Sequence, residues 1–160
     1  MGVDNIDVAA AKENGIKVIN TPAASSLAVA ELAIGLMFAL ARKIAKADAT
    51  MQAGVWEKKK FSGTELNGKT LGLIGIGRIG SEVARIASVL GMSVVAYDPY
   101  VKNFAYGKIV ATVDEVLTIS DYISLHIPLT PDTKYIINAD SIAKMKKTAF
   151  VVNCARGGVV

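Results

Sequence analysis

The residues most able to do chemistry are three glycines at G-x-G-x-x-G spacing, Gly75, Gly77 and Gly80. They follow an apolar run and precede a helical pattern, which is the setting in which this spacing binds the pyrophosphate of a dinucleotide. Gly75 allows a tight turn, Gly77 leaves room for phosphates to approach the backbone, and Gly80 lets the helix pack closely against the sheet. The amides of Arg78 and Ile79 are then predicted to point at the phosphates from the positive end of the helix.

An acidic residue, Asp98, ends the next apolar run, Val94 to Tyr97. It lies about 20 residues beyond the glycines, where the dinucleotide-binding pattern expects an acid. A carboxylate at this point accepts hydrogen bonds from the hydroxyls of the adenosine ribose and repels a 2′-phosphate. We therefore predict NAD, rather than NADP, as the cofactor.

The elements that must position these residues alternate between strands and helices. Predicted strands cover residues 70–74, 93–97, 122–126 and 149–153, and predicted helices cover residues 78–90, 114–118 and 141–146. Strands rich in Val and Ile that alternate with helices are typical of a parallel sheet covered on both faces. The predicted fold class is therefore α/β, a doubly wound parallel sheet of the Rossmann type.

The first part of the chain is less regular. A short helix is predicted over residues 7–13, a strand over 16–19, and a long helix that begins after Ser25 or Ser26 and continues into the forties. That helix is apolar, but it is shorter than the roughly 20 residues of a membrane span and contains Glu31, so we predict no membrane segment. A loop is predicted over residues 54–68.

Composition narrows the class of protein. The 160 residues are 52% hydrophobic and 20% charged, which is typical of a compact α/β domain and not of a disordered chain. The net charge of +4 is small, and no basic face studded with aromatic residues indicates nucleic-acid binding. The single cysteine, Cys154, excludes an internal disulfide and favours a reducing cytoplasm. No metal site and no secretory signal are predicted.

Several motifs together resemble the D-isomer-specific 2-hydroxyacid dehydrogenases. Besides the glycine loop, they are segments 2–7 (GVDNID), 97–99 (YDP), 126–130 (HIPLT) and 153–158 (NCARGG). The resemblance covers essentially the whole chain. Segments 56–61 and 63–70 and the Cys-Ala-Arg form of the last motif are most similar to the members that oxidise D-3-phosphoglycerate in serine biosynthesis.

The resemblance implies an incomplete two-domain oxidoreductase. Residues 1–22 would be a remnant of the substrate domain, and residues 23–160 an NAD-binding domain that is incomplete at its C-terminal end. The catalytic set of the family is an Arg, a Glu and a His. Arg156 matches the Arg, which holds the substrate carboxylate as a bidentate donor, whereas the Glu and the His are expected further along the chain. The chain is therefore expected to bind NAD and to be inactive by itself.

The resemblance also assigns contacts near the cofactor to residues after the third and fourth predicted strands: Ile127, Pro128, Cys154, Ala155 and Arg156. His126, the only histidine, is expected to line the cleft and not to act as the base. Cys154 is expected to pack beside the nicotinamide, because the sequence places no base that would activate its thiol. The stretch between Pro99 and Asp114 is short, so the helix usual there is expected to be reduced or replaced by a loop.

Alternative functions stay open. The substrate of the whole protein would be a small 2-hydroxy acid, and glyoxylate, hydroxypyruvate and D-lactate compete with D-3-phosphoglycerate. NAD(H)-sensing transcriptional corepressors that share the fold are a further class. In relatives the long helix and the loop with Lys58, Lys59 and Lys60 pack against a second subunit, which implies a homodimer or higher homo-oligomer.

Overall fold

The computed structural model describes residues 2–3 and 5–160. Within them, five parallel strands form one sheet in the order β3-β2-β1-β4-β5. The strands are β1 (Thr70–Ile74), β2 (Ser93–Tyr97), β3 (Lys108–Ile109), β4 (Tyr122–Leu125) and β5 (Phe150–Asn153). The helices are α1 (Val8–Glu13), α2 (Ser26–Arg42), α3 (Ile44–Gln52), α4 (Arg78–Val89), α5 (Val113–Ile119) and α6 (Ala139–Ala143), with 3₁₀ turns at Lys58–Phe61 and Gly157–Val159. The predicted doubly wound α/β fold is confirmed.

The central strand β1 shows why the sheet is apolar throughout. Leu71 and Leu73 belong to the core on the side of α2 and α4, whereas Ile74 belongs to the core on the side of α5. On that second side, a Cβ at Gly72 would collide with the side chains of Ser120 and Val116, so the glycine lets α5 approach the sheet closely. Both faces are therefore covered, as parallel sheets require.

The helix α4, which begins at the glycine loop, is amphipathic. Val83, Ala84 and Ala87 are buried against the sheet and α2. Glu82 and Arg85 lie on the outer face and form an ion pair of 2.9 Å. The small buried residues let α4 lie close to β1, and this closeness brings the first turn of the helix to the edge of the sheet.

The edge of the sheet remote from the glycine loop is held by Asp121. Its Oδ2 accepts a hydrogen bond of 2.8 Å from the amide of Thr70, and its Oδ1 accepts one of 2.9 Å from Nζ of Lys146. Burial alone would raise the pKa of Asp121, but these two bonds and the charges of Lys146 and Lys69 outweigh it and hold the pKa below its usual value. The ionised carboxylate thereby ties the starts of β1 and β4 to the segment before β5.

Two predictions for the first part of the chain are wrong. Residues 16–19 form no strand, because no described strand lies beside them, and Ile16 and Ile19 are exposed. The long helix is two helices, since Lys43 adopts a left-handed conformation with φ +56° and ends α2 before α3 begins. Ser25 stands at the N-cap of α2, but its side chain makes no capping hydrogen bond. Among the described residues, no helix is long and apolar enough to cross a membrane.

The regular part also differs from prediction by one extra strand and by shifted ends, the largest shift being in α6, which ends at Ala143 and not at residue 146. The two-residue strand β3 was not predicted, because its pairing with Val95 and Ala96 of β2 is a tertiary contact. The helix expected over residues 141–146 is α6, which begins two residues earlier because Asn138 and Ser141 form a capping box. The strand β4 ends one residue before His126. The predicted lack of a regular helix after Pro99 is confirmed.

Candidate dinucleotide-binding cleft

The sheet brings the predicted residues to one edge. Gly75 follows β1, Asp98 follows β2, His126 follows β4 and Cys154 follows β5. In parallel strands these positions are all carboxyl ends, and the strand order reverses between β1 and β4. Such a switch point leaves a crevice outside the sheet, where ligands bind in open α/β folds.

Gly75 makes the turn that opens this crevice. Its φ is +89°, a conformation that residues with a Cβ rarely adopt. A Cβ here would also lie 2.6 Å from the carbonyl oxygen of His126 and 2.8 Å from Cγ2 of Ile127. The amide of Gly75 donates a hydrogen bond of 2.9 Å to the carbonyl of Tyr97, which continues the ladder between β1 and β2. The glycine is therefore required by both backbone conformation and space.

The other two glycines have opposite surroundings. A Cβ at Gly80 would collide with the carbonyl oxygen of Gly75, so the first turn of α4 sits directly on the glycine loop. A Cβ at Gly77, the N-cap of α4, would meet nothing within 4 Å. Gly77 therefore keeps open the space in front of the helix, where the free amides of its first turn and its dipole favour an anion.

Asp98 also accepts hydrogen bonds from three backbone amides, which the sequence did not predict. Its Oδ2 accepts a hydrogen bond of 3.0 Å from the amide of Ile76 in the glycine loop. Its Oδ1 accepts bonds of 2.9 Å from the amide of Tyr100 and 3.2 Å from the amide of Val101. The carboxylate thus joins the glycine loop to the segment after β2 and still faces the cleft.

One half of the cleft extends from Gly75 and Asp98 toward the loop after β4. It has a volume of about 510 Å³, within the range of small-molecule sites. Its remaining walls are mainly apolar and include Tyr97, Pro99, Val113, Ile127 and Ile136. A negative charge beside apolar walls suits a ribose that carries a flat, apolar base.

The other half of the cleft extends from His126 toward α2 and the turn after β5. Its volume is about 620 Å³, and its walls include Ile79, Cys154, Ala155 and Arg156. His126, Ile127 and Pro128 line both halves, so the two spaces adjoin along the carboxyl edge of β1 and β4, and together they are called the groove. Ser25 and Val29 of α2 also line this half, although the sequence assigned them no contact.

Arg156 stands on the rim of this second half. Asn153 fixes the turn that carries Arg156. Its Nδ2 donates a hydrogen bond of 2.8 Å to the carbonyl of Arg156, and its Oδ1 accepts one of 3.0 Å from the amide of Ala155. The Arg156 side chain is exposed, and its Nη1 donates 3.0 Å to the carbonyl of Ala155. A guanidinium held this way lies within reach of an anion that enters the groove.

Two titratable groups in the groove are held neutral. Burial lowers the pKa of His126 from 6.5 to about 4, so the imidazole is uncharged at neutral pH. Burial also raises the pKa of the Cys154 thiol. An uncharged thiol is a poor nucleophile, which favours packing as the role of Cys154.

A turn after Pro128 was missed by the sequence analysis. Oγ1 of Thr133 donates a hydrogen bond of 2.6 Å to the carbonyl of Pro128 and accepts one of 2.8 Å from the amide of Thr130. These two bonds hold the turn beside the opening of the first half of the cleft. Tyr135 then adopts φ +52°, and its amide donates 3.0 Å to the carbonyl of Gly158. Thr-Pro-Asp-Thr was the available signal, since Thr and Asp readily close such turns.

A parallel sheet in this order, with a glycine loop, an acid after β2 and a groove at the switch point, defines a dinucleotide-binding domain. The NAD-binding domain of the D-isomer specific 2-hydroxyacid dehydrogenases matches residues 34–160. The chain therefore belongs to this family, as the motifs predicted, and it carries the family's NAD-binding domain.

Similar proteins agree with this family. The chain is 52% identical to a D-3-phosphoglycerate dehydrogenase of Methanocaldococcus jannaschii, in an alignment covering all of this chain and 31% of that protein. It is 54% identical to a hydroxypyruvate reductase of Thermotoga maritima, covering all of this chain and 52% of that protein. The apo-structure of D-lactate dehydrogenase from Escherichia coli superimposes with a TM-score of 0.92 at 38% identity, over 99% of this chain and 51% of that one. The chain thus spans a third to a half of these proteins.

Proposed function

We propose that the groove binds NAD in an extended form and that the chain is the NAD-binding part of an oxidoreductase acting on a 2-hydroxy acid. The observation that carries this proposal is that two adjoining spaces follow one another from Asp98, past the glycine loop, to Arg156. A dinucleotide needs such a path, because its two nucleosides lie on either side of a pyrophosphate. Bound NAD would supply the hydride acceptor or donor.

Each part of the groove fits one part of the dinucleotide. The open space at Gly77 and the amides of Arg78 and Ile79 suit the pyrophosphate. Asp98 suits the hydroxyls of the adenosine ribose, since each carboxylate oxygen has two lone pairs and Oδ2 accepts one hydrogen bond from the residues that the structure describes. Ile127, Pro128, Cys154 and Ala155 would form the wall beside the nicotinamide.

Arg156 is the catalytic residue we propose within this chain. Its guanidinium would hold the carboxylate of a 2-hydroxy acid beside the nicotinamide end of the groove, where bidentate hydrogen bonding fixes orientation. Residues 1–22 would then belong to the substrate domain and residues 23–160 to the NAD-binding domain.

The substrate we propose for the whole protein is D-3-phosphoglycerate, which would place it in serine biosynthesis. The similarity of segments 56–61 and 63–70 and of the Cys-Ala-Arg motif to enzymes of this activity, with the 52% identity to the Methanocaldococcus jannaschii enzyme, supports this choice. Hydroxypyruvate is the second candidate, because the Thermotoga maritima relative is 54% identical over the whole chain.

A segment exchange tests the proposal. This chain would replace the matching segment of the Methanocaldococcus jannaschii enzyme and, separately, of the Thermotoga maritima enzyme. We expect the first chimera to reduce NAD with D-3-phosphoglycerate, and Arg156→Lys in it to lower kcat/KM at least about 100-fold. Chimeras that fold and bind NADH but are inactive on both substrates would contradict the proposed oxidoreductase function, and an unchanged kcat/KM of Arg156→Lys would contradict the role of Arg156. Activity of the second chimera alone would favour hydroxypyruvate.

We further propose a homodimer formed through α2, in the cytoplasm that a single unpaired cysteine favours. Leu32, Leu36 and Leu40 are spaced by four residues on one side of α2 and are 56%, 40% and 40% exposed. Leu36→Glu should convert a dimer to a monomer in sedimentation velocity. Val89→Glu, at an exposed apolar residue on α4, is the matched control and should leave the dimer intact.

A further inference from the structure

Ser124 of β4 is fully buried. It pairs with Leu73 of β1, whose side chain packs in the core on the side of α2 and α4. Its Oγ lies 2.9 Å from Nε2 of His126, two residues further along the same face. This is the only hydrogen bond that the Ser124 hydroxyl makes within the described residues. The pair therefore forms a closed unit at the junction of the two halves of the cleft.

The serine decides which nitrogen of His126 carries the proton. If Nε2 were protonated, it would donate to Oγ, and the hydroxyl proton of Ser124 would be left in the core with no acceptor. A buried donor without a partner is unfavourable. If Nε2 is unprotonated, the hydroxyl donates to it, and both buried groups of the pair are satisfied. The second arrangement places the ring proton of the neutral imidazole on Nδ1.

The second ring nitrogen, Nδ1, reaches the groove. It has no hydrogen-bond partner among the described residues, and none of their side-chain nitrogens or oxygens is both sealed from solvent and unpartnered. The cavities that His126 lines are the two halves of the cleft. Nδ1–H therefore points to a part of the groove that a ligand can enter.

The backbone fixes this donor in place. The amide of His126 donates 2.8 Å to the carbonyl of Ile74, and a Cβ at Gly80 would lie 3.6 Å from Cβ of His126. The Cβ of His126 thus lies close to the first turn of α4, and His126 lines the same half of the cleft as Gly77. A ligand anion in front of that turn would share this space with the imidazole.

We infer that Ser124 is a positioning residue that fixes the tautomer of His126, so that the neutral ring presents Nδ1–H to an oxygen of the dinucleotide pyrophosphate. This inference rests on the proposed NAD site for its ligand, but not for the tautomer. It assigns to His126 a hydrogen-bond donor where the two halves of the cleft meet.

The tautomer is directly measurable, because His126 is the only histidine of the chain. A ¹H–¹⁵N long-range correlation spectrum at pH 7 of the ¹⁵N-labelled chain should show a protonated Nδ1 and an unprotonated Nε2. Ser124→Ala removes the donor to Nε2 and should lower the population with the proton on Nδ1, whereas Ser124→Thr should keep that population unchanged. A protonated Nε2 in the unaltered chain overturns the inference.

The effect on the cofactor is measured by calorimetric titration with NADH. Ser124→Ala should weaken binding about tenfold, which corresponds to about 1.4 kcal/mol. The matched control is Ser120→Ala, which removes another fully buried hydroxyl whose Oγ donates 2.6 Å to the carbonyl of Val116, on the other side of the sheet. Equal affinities of these two variants overturn the role of Ser124 in binding. A folded, unaltered chain with protonated Nδ1 but no NADH binding overturns the proposed NAD contacts and supports the tautomer.

Discussion

Replacing Gly75 with alanine should destabilise the fold strongly, because the position combines two costs. A residue with a Cβ held at positive φ costs about 1–3 kcal/mol. The added methyl group, 2.6 Å from the carbonyl oxygen of His126 and 2.8 Å from Cγ2 of Ile127, forces a rearrangement of about 1–3 kcal/mol. The free energy of unfolding should therefore fall by about 2–6 kcal/mol, which is a large share of the stability of an ordinary domain.

The assay is urea unfolding of the chain followed by far-ultraviolet circular dichroism. The control is Gly35→Ala in α2, where the residue is exposed and the added Cβ meets nothing within 4 Å. That variant should be more stable by about 0.5–1 kcal/mol, because alanine favours a helix over glycine. If Gly75→Ala unfolds at the same urea concentration as the unaltered chain, the geometry assigned to the glycine loop is wrong.

Three further predictions follow from the charged and titratable groups. Burial lowers the pKa of His126 from 6.5 in the unfolded chain to about 4 in the folded chain, so the unfolded chain binds more protons between these pH values. The free energy of unfolding should therefore fall by about 2 kcal/mol from pH 7 to pH 5. His126→Asn should abolish this part of the pH dependence in urea titrations. Asp121→Ala should lower the free energy of unfolding by about 1–2 kcal/mol, because it leaves the amide of Thr70 without its acceptor. Asp114→Ala removes only an exposed ion pair with Lys144 and should change the free energy of unfolding by less than about 1 kcal/mol. Asp98→Ala should weaken NADH binding at least about tenfold and reduce the preference for NADH over NADPH; an unchanged preference in calorimetry would show that Asp98 does not read the ribose.

The parts of the fold that could be predicted from the sequence are those set by local pattern. The strand before Gly75 and the helix after it follow from an apolar run, glycine spacing and amphipathic periodicity, and their ends agree within one residue. The groove follows from the same local units, since parallel strands that alternate with helices place all their carboxyl ends at one edge.

The parts that could not be predicted depend on contacts between distant segments. No glycine or proline marks the break at Lys43, and β3 exists only through its pairing with β2. The sequence gives no sign that Asp98 accepts three backbone amides, because two of them belong to its own loop and one to the glycine loop. Ser124 looks like any buried strand residue until its hydroxyl is found beside His126.

The most direct test of the NAD site is calorimetric titration of the chain and of Gly77→Ala with NADH. The Cβ of the variant meets no protein atom within 4 Å and enters the space assigned to the pyrophosphate, so the fold should persist with a stability change of about 1 kcal/mol or less. We expect the unaltered chain to bind NADH saturably at one-to-one stoichiometry and the Gly77→Ala variant to bind it at least about tenfold more weakly. A folded chain that shows no saturable binding, or a variant that binds NADH equally well, would contradict it.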